Sequence, residues 1–212
     1  MDELHDATIL VLAPHTDDGE LGAGASIAKW AEAGNDVNYL AFSACETIQP
    51  ADRPSDVLRG ECAAATSELG IPRSNLEILD FEVRNFARDR QDVLDTMVRV
   101  NRQMRPDVVL VPSIADTHQD HAVVATEARR AFKTTRMLGY EVPWNNFQFD
   151  TTAFVVTDES HVATKCRSLA HFRSQEGRPY MTEEYLWSQS RFRGVQAGSS
   201  YAEAFQVIRW FL

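Results

Sequence analysis

Cysteine is scarce in this chain: Cys45, Cys62 and Cys166 are the only three in 212 residues, widely spaced and without a C-x-x-C pair. An odd, scattered set argues against a disulfide framework and fits a reducing compartment. Lysine is equally rare, confined to Lys29, Lys133 and Lys165, and 31 acidic against 21 basic residues give a net charge of −10. That balance repels a polyphosphate backbone at long range, so nucleic acid is not an expected partner. Long apolar runs are missing too. The longest, Ile9–Ala13 and Val108–Val111, fall far short of the ~20 residues a membrane span needs. Met1-Asp2-Glu3-Leu4 has neither the basic start nor the apolar stretch of a secretory leader, so the expected location is the cytoplasm. No repeat, low-complexity tract or linker divides the chain, and residues 1–212 are read as one domain.

What is present alternates between apolar β-rich runs and helical patterns. Strands are expected at Thr8–Ala13, Val37–Phe42, Leu76–Leu79, Val108–Val111, Arg136–Val142 and Thr152–Val156. Helices are expected at Gly22–Ala33, Ser55–Leu69, Gln91–Met104, Asp120–Phe132 and from Ser160 to about Gln175, with a less defined tail. Gly34-Asn35, Gly70 with Pro72, and Pro106 supply the stops. Strands alternating with crossover helices make parallel βαβ units, hence a single-domain Rossmann-like α/β fold with a mostly parallel sheet and helices on both faces. Right-handed crossovers give the order 3-2-1-4-5, in which strands 1 and 4 are neighbours. Ligands bind outside the carboxyl ends of strands at that switch point, directing attention to the segments after Ala13 and Val111.

Those two segments carry most of the chemistry-bearing residues. The first reads Pro14-His15-Thr16-Asp17-Asp18-Gly19-Glu20 and the second Asp116-Thr117-His118-Gln119-Asp120-His121, together holding three of the six histidines. Each residue alone has an ordinary explanation, such as a core histidine or a carboxylate at a helix N-terminus. Gathered at one point, the carboxylates repel one another unless a cation compensates them. Histidine and carboxylate ligands with an open fourth position describe a catalytic zinc site, though iron or cobalt suits the same donors.

The same residues carry a family resemblance. The run from Pro14 to Gly24 resembles the H-P-D-D-E-x-x-G-x-G signature of the PIG-L/LmbE-like zinc N-deacetylases, and His118-Gln119-Asp120-His121 resembles their H-x-D-H motif. Arg59-Gly60-Glu61 with Leu69-Gly70, Lys165 with His171 and Ser174-Gln175, and Tyr201-Ala202-Glu203-Ala204-Phe205 resemble three further segments. The resemblance implies one Zn2+ per chain held by His15, Asp18 and His121, with Asp17 as general base. It implies that a protonated His118 faces the substrate carbonyl and that the Asp120 carboxylate orients His118. Arg59 and Glu20 are assigned to substrate binding, Glu20 standing one place later than the family's glutamate and Thr16 replacing its proline. The implied reaction is hydrolysis of an N-acetyl group on an N-acetylglucosamine-type sugar or conjugate, a small-molecule substrate.

Two other readings fit the residues less closely. An N-formyl or other acyl amide would need the same machinery. A nucleotide-binding module would use Gly19, Gly22 and Gly24, but their spacing reverses the dinucleotide fingerprint and two carboxylates would meet the pyrophosphate. Cys45 is expected to edge the pocket as an inert thiol. The stretch Tyr140–Phe149 reads as satellite core or as an aromatic rim, and Arg191-Phe192-Arg193 as a solvated loop or an entrance guard. Substrate choice is assigned to the loops 46–54, 83–90 and 141–150. The reading is compatible with a homo-oligomer as well as a monomer.

Overall fold

The computed structural model describes residues 4–211; the first three residues of the leader reading lie outside them. Strand β1 (Thr8–His15) leads into helix α1 (Asp18–Glu32), β2 (Asp36–Ser43) and α2 (Val57–Glu68). Then follow β3 (Leu76–Ile78), α3 (Arg90–Met104), β4 (Val108–Pro112), α4 (Gln119–Ala131) and β5 (Arg136–Tyr140). The chain closes with β6 (Ala153–Thr157), α5 (Glu159–Leu169), α6 (Glu183–Ala197) and β7 (Tyr201–Arg209). One seven-stranded sheet has the order β3-β2-β1-β4-β5-β7-β6. β7 runs antiparallel to both β5 and β6, and the other pairings are parallel. The expected 3-2-1-4-5 arrangement is therefore the body of the sheet.

Side-chain parity along β1 divides the interior in two. Ile9, Val11 and Ala13 join a core with Leu21, Ile27 and Trp30 of α1, Cys62 of α2, Val162 of α5 and Leu186 of α6. Leu10 and Leu12 face the opposite core with Val93 and Met97 of α3 and Val124 and Ala128 of α4. A strand buried on both faces reads as a continuous apolar run, which is why it was legible without alternation. Each fully buried Leu or Ile contributes about 1.5–3 kcal/mol, enough to fix β1 at the centre.

Three elements depart from the sequence reading. Helix α1 begins at Asp18, not Gly22, so the glycines lie inside it. They are there for close approach: a Cβ on Gly19 would lie 2.7 Å from the Tyr39 ring, and one on Gly22 would lie 2.3 Å from Tyr140. That packing accounts for the glycine run without any phosphate. Helix α5 stops at Leu169, and Glu61 on α2 holds the segment beyond it, accepting from the Ser174 backbone N–H at 2.9 Å and hydroxyl at 2.6 Å. The tail forms α6 and then β7, which inserts between β5 and β6.

Gly22→Ala is expected to cost about 1–3 kcal/mol through overpacking, since Tyr140 is also tied by its hydroxyl to the Leu12 carbonyl at 2.9 Å. Gly60→Ala is the contrast: it sits inside α2 with open space around it, and helix propensity should add up to about 1 kcal/mol. Urea melts of the two variants check both signs.

Candidate active site

β1 and β4 are hydrogen-bonded neighbours, and the segments leaving their carboxyl ends meet as the topology requires. His15 ends β1, Asp17 and Asp18 open α1, and His118, Asp120 and His121 open α4. His15 Nδ1 lies 3.1 Å from Asp18 Oδ2, His121 Nε2 lies 3.2 Å from the same oxygen, and the two ring nitrogens are 3.3 Å apart. The donor atoms of His15, His118 and His121 fall within 4.8 Å of one another. Asp18 and His121 are almost fully buried.

Each imidazole of the triangle is braced from behind. His15 Nε2 is 3.1 Å from Asp120 Oδ2, and His121 Nδ1 is 2.8 Å from Asp116 Oδ2. A carboxylate behind a histidine fixes its tautomer and ring orientation. Asp116 stands in the second quoted segment, yet sequence reasoning gave it no role; its position five residues before His121, in the loop that leads into α4, was the available signal.

The electrostatics follow from carboxylates crowded in a buried place. Burial would raise Asp18, but His121 and His15 override it and hold the carboxyl far below its usual range. Burial would lower both imidazoles, yet Asp18, with Asp120 or Asp116 behind, raises His15 to about 9 and His121 to about 10. The site thus demands positive charge, which protons or a metal ion can supply in exchange. Asp17 is raised to about 6 by burial and then by the Asp18 charge. Cys45 edges the pocket as expected, with its thiol pushed up to about 12 by burial and by Asp17 and Asp18, so it is not a nucleophile at neutral pH.

Four expectations need correction. The Asp120 carboxylate does not orient His118; it faces His15 and accepts the Arg84 backbone N–H at 2.6 Å. His118 Nδ1 instead accepts the Asp120 backbone N–H at 3.1 Å, capping α4. An accepting nitrogen cannot carry a proton, and burial also lowers this histidine, so a protonated His118 is replaced by a neutral ring with Nε2 as donor. Arg59 does not line the pocket, because Glu46 at 2.5 Å, Asp80 and the Ile78 carbonyl occupy its guanidinium. Glu20 is fully buried and bonded to the Tyr39 hydroxyl, and burial pushes its carboxyl well above the usual range. It supports the packing under α1 and touches no pocket surface.

The pocket above the cluster has a volume of about 320 Å³, within the scale of small-molecule sites. Each of the three expected loops contributes to it, through Gln49 and Arg53, Arg84, and Trp144. A fourth contribution, from residues 174–180, was hidden in the overlong helix and tail. Trp144 stacks nearly parallel on Tyr180, so one residue of the aromatic stretch does form a rim. Arg191 and Arg193 sit on α6 instead, Arg193 paired with Glu141 at 2.6 Å.

Fold and site together define a class: doubly wound α/β proteins with a histidine–carboxylate cluster at the switch point. Within that class, residues 10–132 match the PIG-L family model, described as GlcNAc-PI de-N-acetylase, and the chain belongs to this family. It is 27% identical over 170 residues to the uncharacterized deacetylase YaiS of Escherichia coli strain K12, covering 78% of this chain and 90% of that protein. The conserved protein TT1542 of Thermus thermophilus is similar over 99% of this chain and 97% of its own, with a TM-score of 0.82 and 25% identity. The 4-carboxy-2-hydroxymuconate hydratase GalB of Pseudomonas putida gives 0.80 at 23% identity, over 97% and 98% of the chains. The N,N'-diacetylchitobiose deacetylase of Pyrococcus horikoshii gives 0.79 at 18%, over 95% and 84%. A hydratase and a deacetylase share this architecture, so the reaction must be argued from side chains. No helix among the described residues is long and apolar enough to cross a membrane.

Proposed function

We propose that this member of a deacetylase family is a zinc-dependent amidohydrolase that removes the N-acetyl group of an N-acetylglucosamine-type sugar or conjugate. The observation that carries the reading is the triangle of His15 Nδ1, Asp18 Oδ2 and His121 Nε2, with edges of 3.1, 3.2 and 3.3 Å. Ligands bound at about 2.0–2.1 Å in a tetrahedron are separated by roughly 3.3 Å, so the donor set fits zinc. When bound there, zinc would polarise the acyl carbonyl and bring a water's pKa down to about 7.

The remaining work belongs to the chain. Asp17 borders the pocket next to Asp18, where it takes a proton from the attacking water and passes it to the departing nitrogen. His118, its Nδ1 anchored by the α4 backbone, offers Nε2–H to the acyl oxygen as negative charge develops. Asp120 and Asp116 keep His15 and His121 in the tautomers that present their other nitrogens.

The test is acetate release from a panel of N-acetylglucosamine conjugates by zinc-loaded and chelator-treated protein. Release that stops on chelation and returns with zinc is the expected result. Formate release from N-formyl analogues without acetate release would move the assignment to that acyl group. A chelator-insensitive reaction would overturn the metal.

A further inference from the structure

We propose that Arg53, Arg84 and Arg178 form an anion-recognising rim, so that the substrate is an acylated amino sugar carrying a phosphate or carboxylate group. This rests on the proposed amide hydrolysis and specifies the substrate class for that site.

Arginines such as Arg59, Arg90 and Arg193 are paired with carboxylates, and among those that are not, Arg53, Arg84 and Arg178 are set apart by opening onto one pocket. The three rim arginines are exposed, line the pocket, and have no carboxylate partner among the described residues. Arg53 donates to the Ser174 carbonyl and Arg178 to the Tyr180 hydroxyl, both neutral acceptors. The Arg84 guanidinium makes no hydrogen bond or ion pair among the described residues. Three guanidiniums without an ion-pair partner at one opening, Arg178 also near enough to act on the Asp17 carboxylate, are a recognition feature for oxyanions, which their planar forks bind in bidentate fashion.

The backbone at Arg84 supplies an independent reason. Arg84 has φ +70°, the left-handed region that a bulky residue occupies only at a cost. Its N–H is held by Asp120 Oδ2 at 2.6 Å, the same oxygen that braces His15. The catalytic cluster thereby fixes where Arg84 leaves the chain, while the guanidinium remains available. Asp17 and Asp18 on the pocket floor repel an anion, so the acylamino group goes down to the cluster and the anion stays at the rim. Trp144 stacked on Tyr180, with Arg178 Cζ 5.8 Å from the Tyr180 ring, gives the same pocket an aromatic surface beside the rim.

The experiment compares kcat/KM for N-acetylglucosamine, its 6-phosphate and 1-phosphate, and N-acetylmuramic acid. The zinc-loaded protein is measured beside Arg84→Gln, Arg178→Gln and Arg129→Gln, at low and high salt. At least one anionic sugar should exceed the neutral one by about tenfold or more. Arg84→Gln and Arg178→Gln should erase most of that preference by raising KM for the anionic sugar far more than for the neutral one. Arg129→Gln removes an exposed charge on α4 away from the pocket and should leave the preference intact. The phosphate and carboxylate arms identify which oxyanion is read. Equal turnover of neutral and anionic sugars, or a preference that survives both rim variants, overturns the rim while the hydrolase stands. If no sugar is turned over, calorimetric titration with the 6-phosphate decides the matter. Binding lost in Arg84→Gln keeps the rim and removes the reaction; no binding removes both.

Discussion

Asp17→Asn should retain zinc at wild-type stoichiometry and lose about 10²–10⁴-fold in kcat, the usual contribution of a positioned proton carrier. Asparagine preserves the shape and the half-buried place at the head of α1 but cannot accept the water's proton. His121→Ala should behave differently, because it deletes one corner of the triangle and strands Asp116, whose Oδ2 lies 2.8 Å from His121 Nδ1. Metal affinity should then fall by more than the roughly 10–100-fold that loss of a supporting carboxylate costs. Asp116→Asn and Asp120→Asn are the supporting cases and should fall within that range. His118→Gln should keep the metal and lower kcat, since its Nδ1 is committed to capping α4 and only Nε2 faces the pocket. Metal analysis by mass spectrometry, run beside acetate-release kinetics, separates these roles. Full turnover by Asp17→Asn would remove Asp17 from proton transfer, and equal metal loss in the His118 and His121 variants would redraw the ligand set.

The second large effect lies away from the pocket. Lys165 on α5 and Glu203 on β7 form a buried ion pair at 2.6 Å, and the same carboxylate accepts the backbone N–H groups of Ala25 at 3.2 Å and Ser26 at 2.7 Å. Those amides belong to α1 just beyond Ala23, whose φ of −144° interrupts the helix. Glu203 therefore satisfies donors that the kink releases, and the pair ties α5, β7 and the helix carrying Asp18 into one unit. Removing one partner leaves a buried charge uncompensated, at a cost of about 3–5 kcal/mol. For a chain of this size that lowers Tm by roughly 6–20 °C, at about 2–4 °C per kcal/mol. Lys165→Met and Glu203→Leu should each show this loss in thermal melts. The double variant should recover part of it but not all, because Ala25 and Ser26 keep unsatisfied amides. Additive losses would show that the two groups do not act as a pair.

Much of this site was legible because the sheet's topology is written locally. The runs Ile9–Ala13 and Val108–Val111 are short, apolar and bounded by helix signals, so their neighbouring places in the sheet followed from crossover handedness. The histidines and aspartates then lay where a ligand must bind, before any contact was known. Lys165 and Glu203 also stood out as residues resembling family segments, but only the fold shows that they meet. The same holds for Glu61 with Ser174, whose bond ties the segment after α5 to α2.

The residues that failed as substrate contacts failed for one reason. Arg59 and Glu20 have the chemistry to bind a sugar, and each found a nearer partner: Glu46 and Asp80 for Arg59, and the Tyr39 hydroxyl for Glu20. Conversely, Arg84 was marked only as part of a loop assigned to substrate choice and Arg178 by nothing, and both line the pocket. By itself the sequence determined the α/β class, the order of the central strands and the two segments that converge, because strand burial and crossover handedness depend on local apolar patterning. Only the tertiary structure decided which nitrogen of each histidine faces Asp18, which carboxylate stands behind it and which arginines are left unpaired. Those outcomes turn on contacts between residues distant in the chain, where separations of a few tenths of an ångström choose among several chemically competent partners.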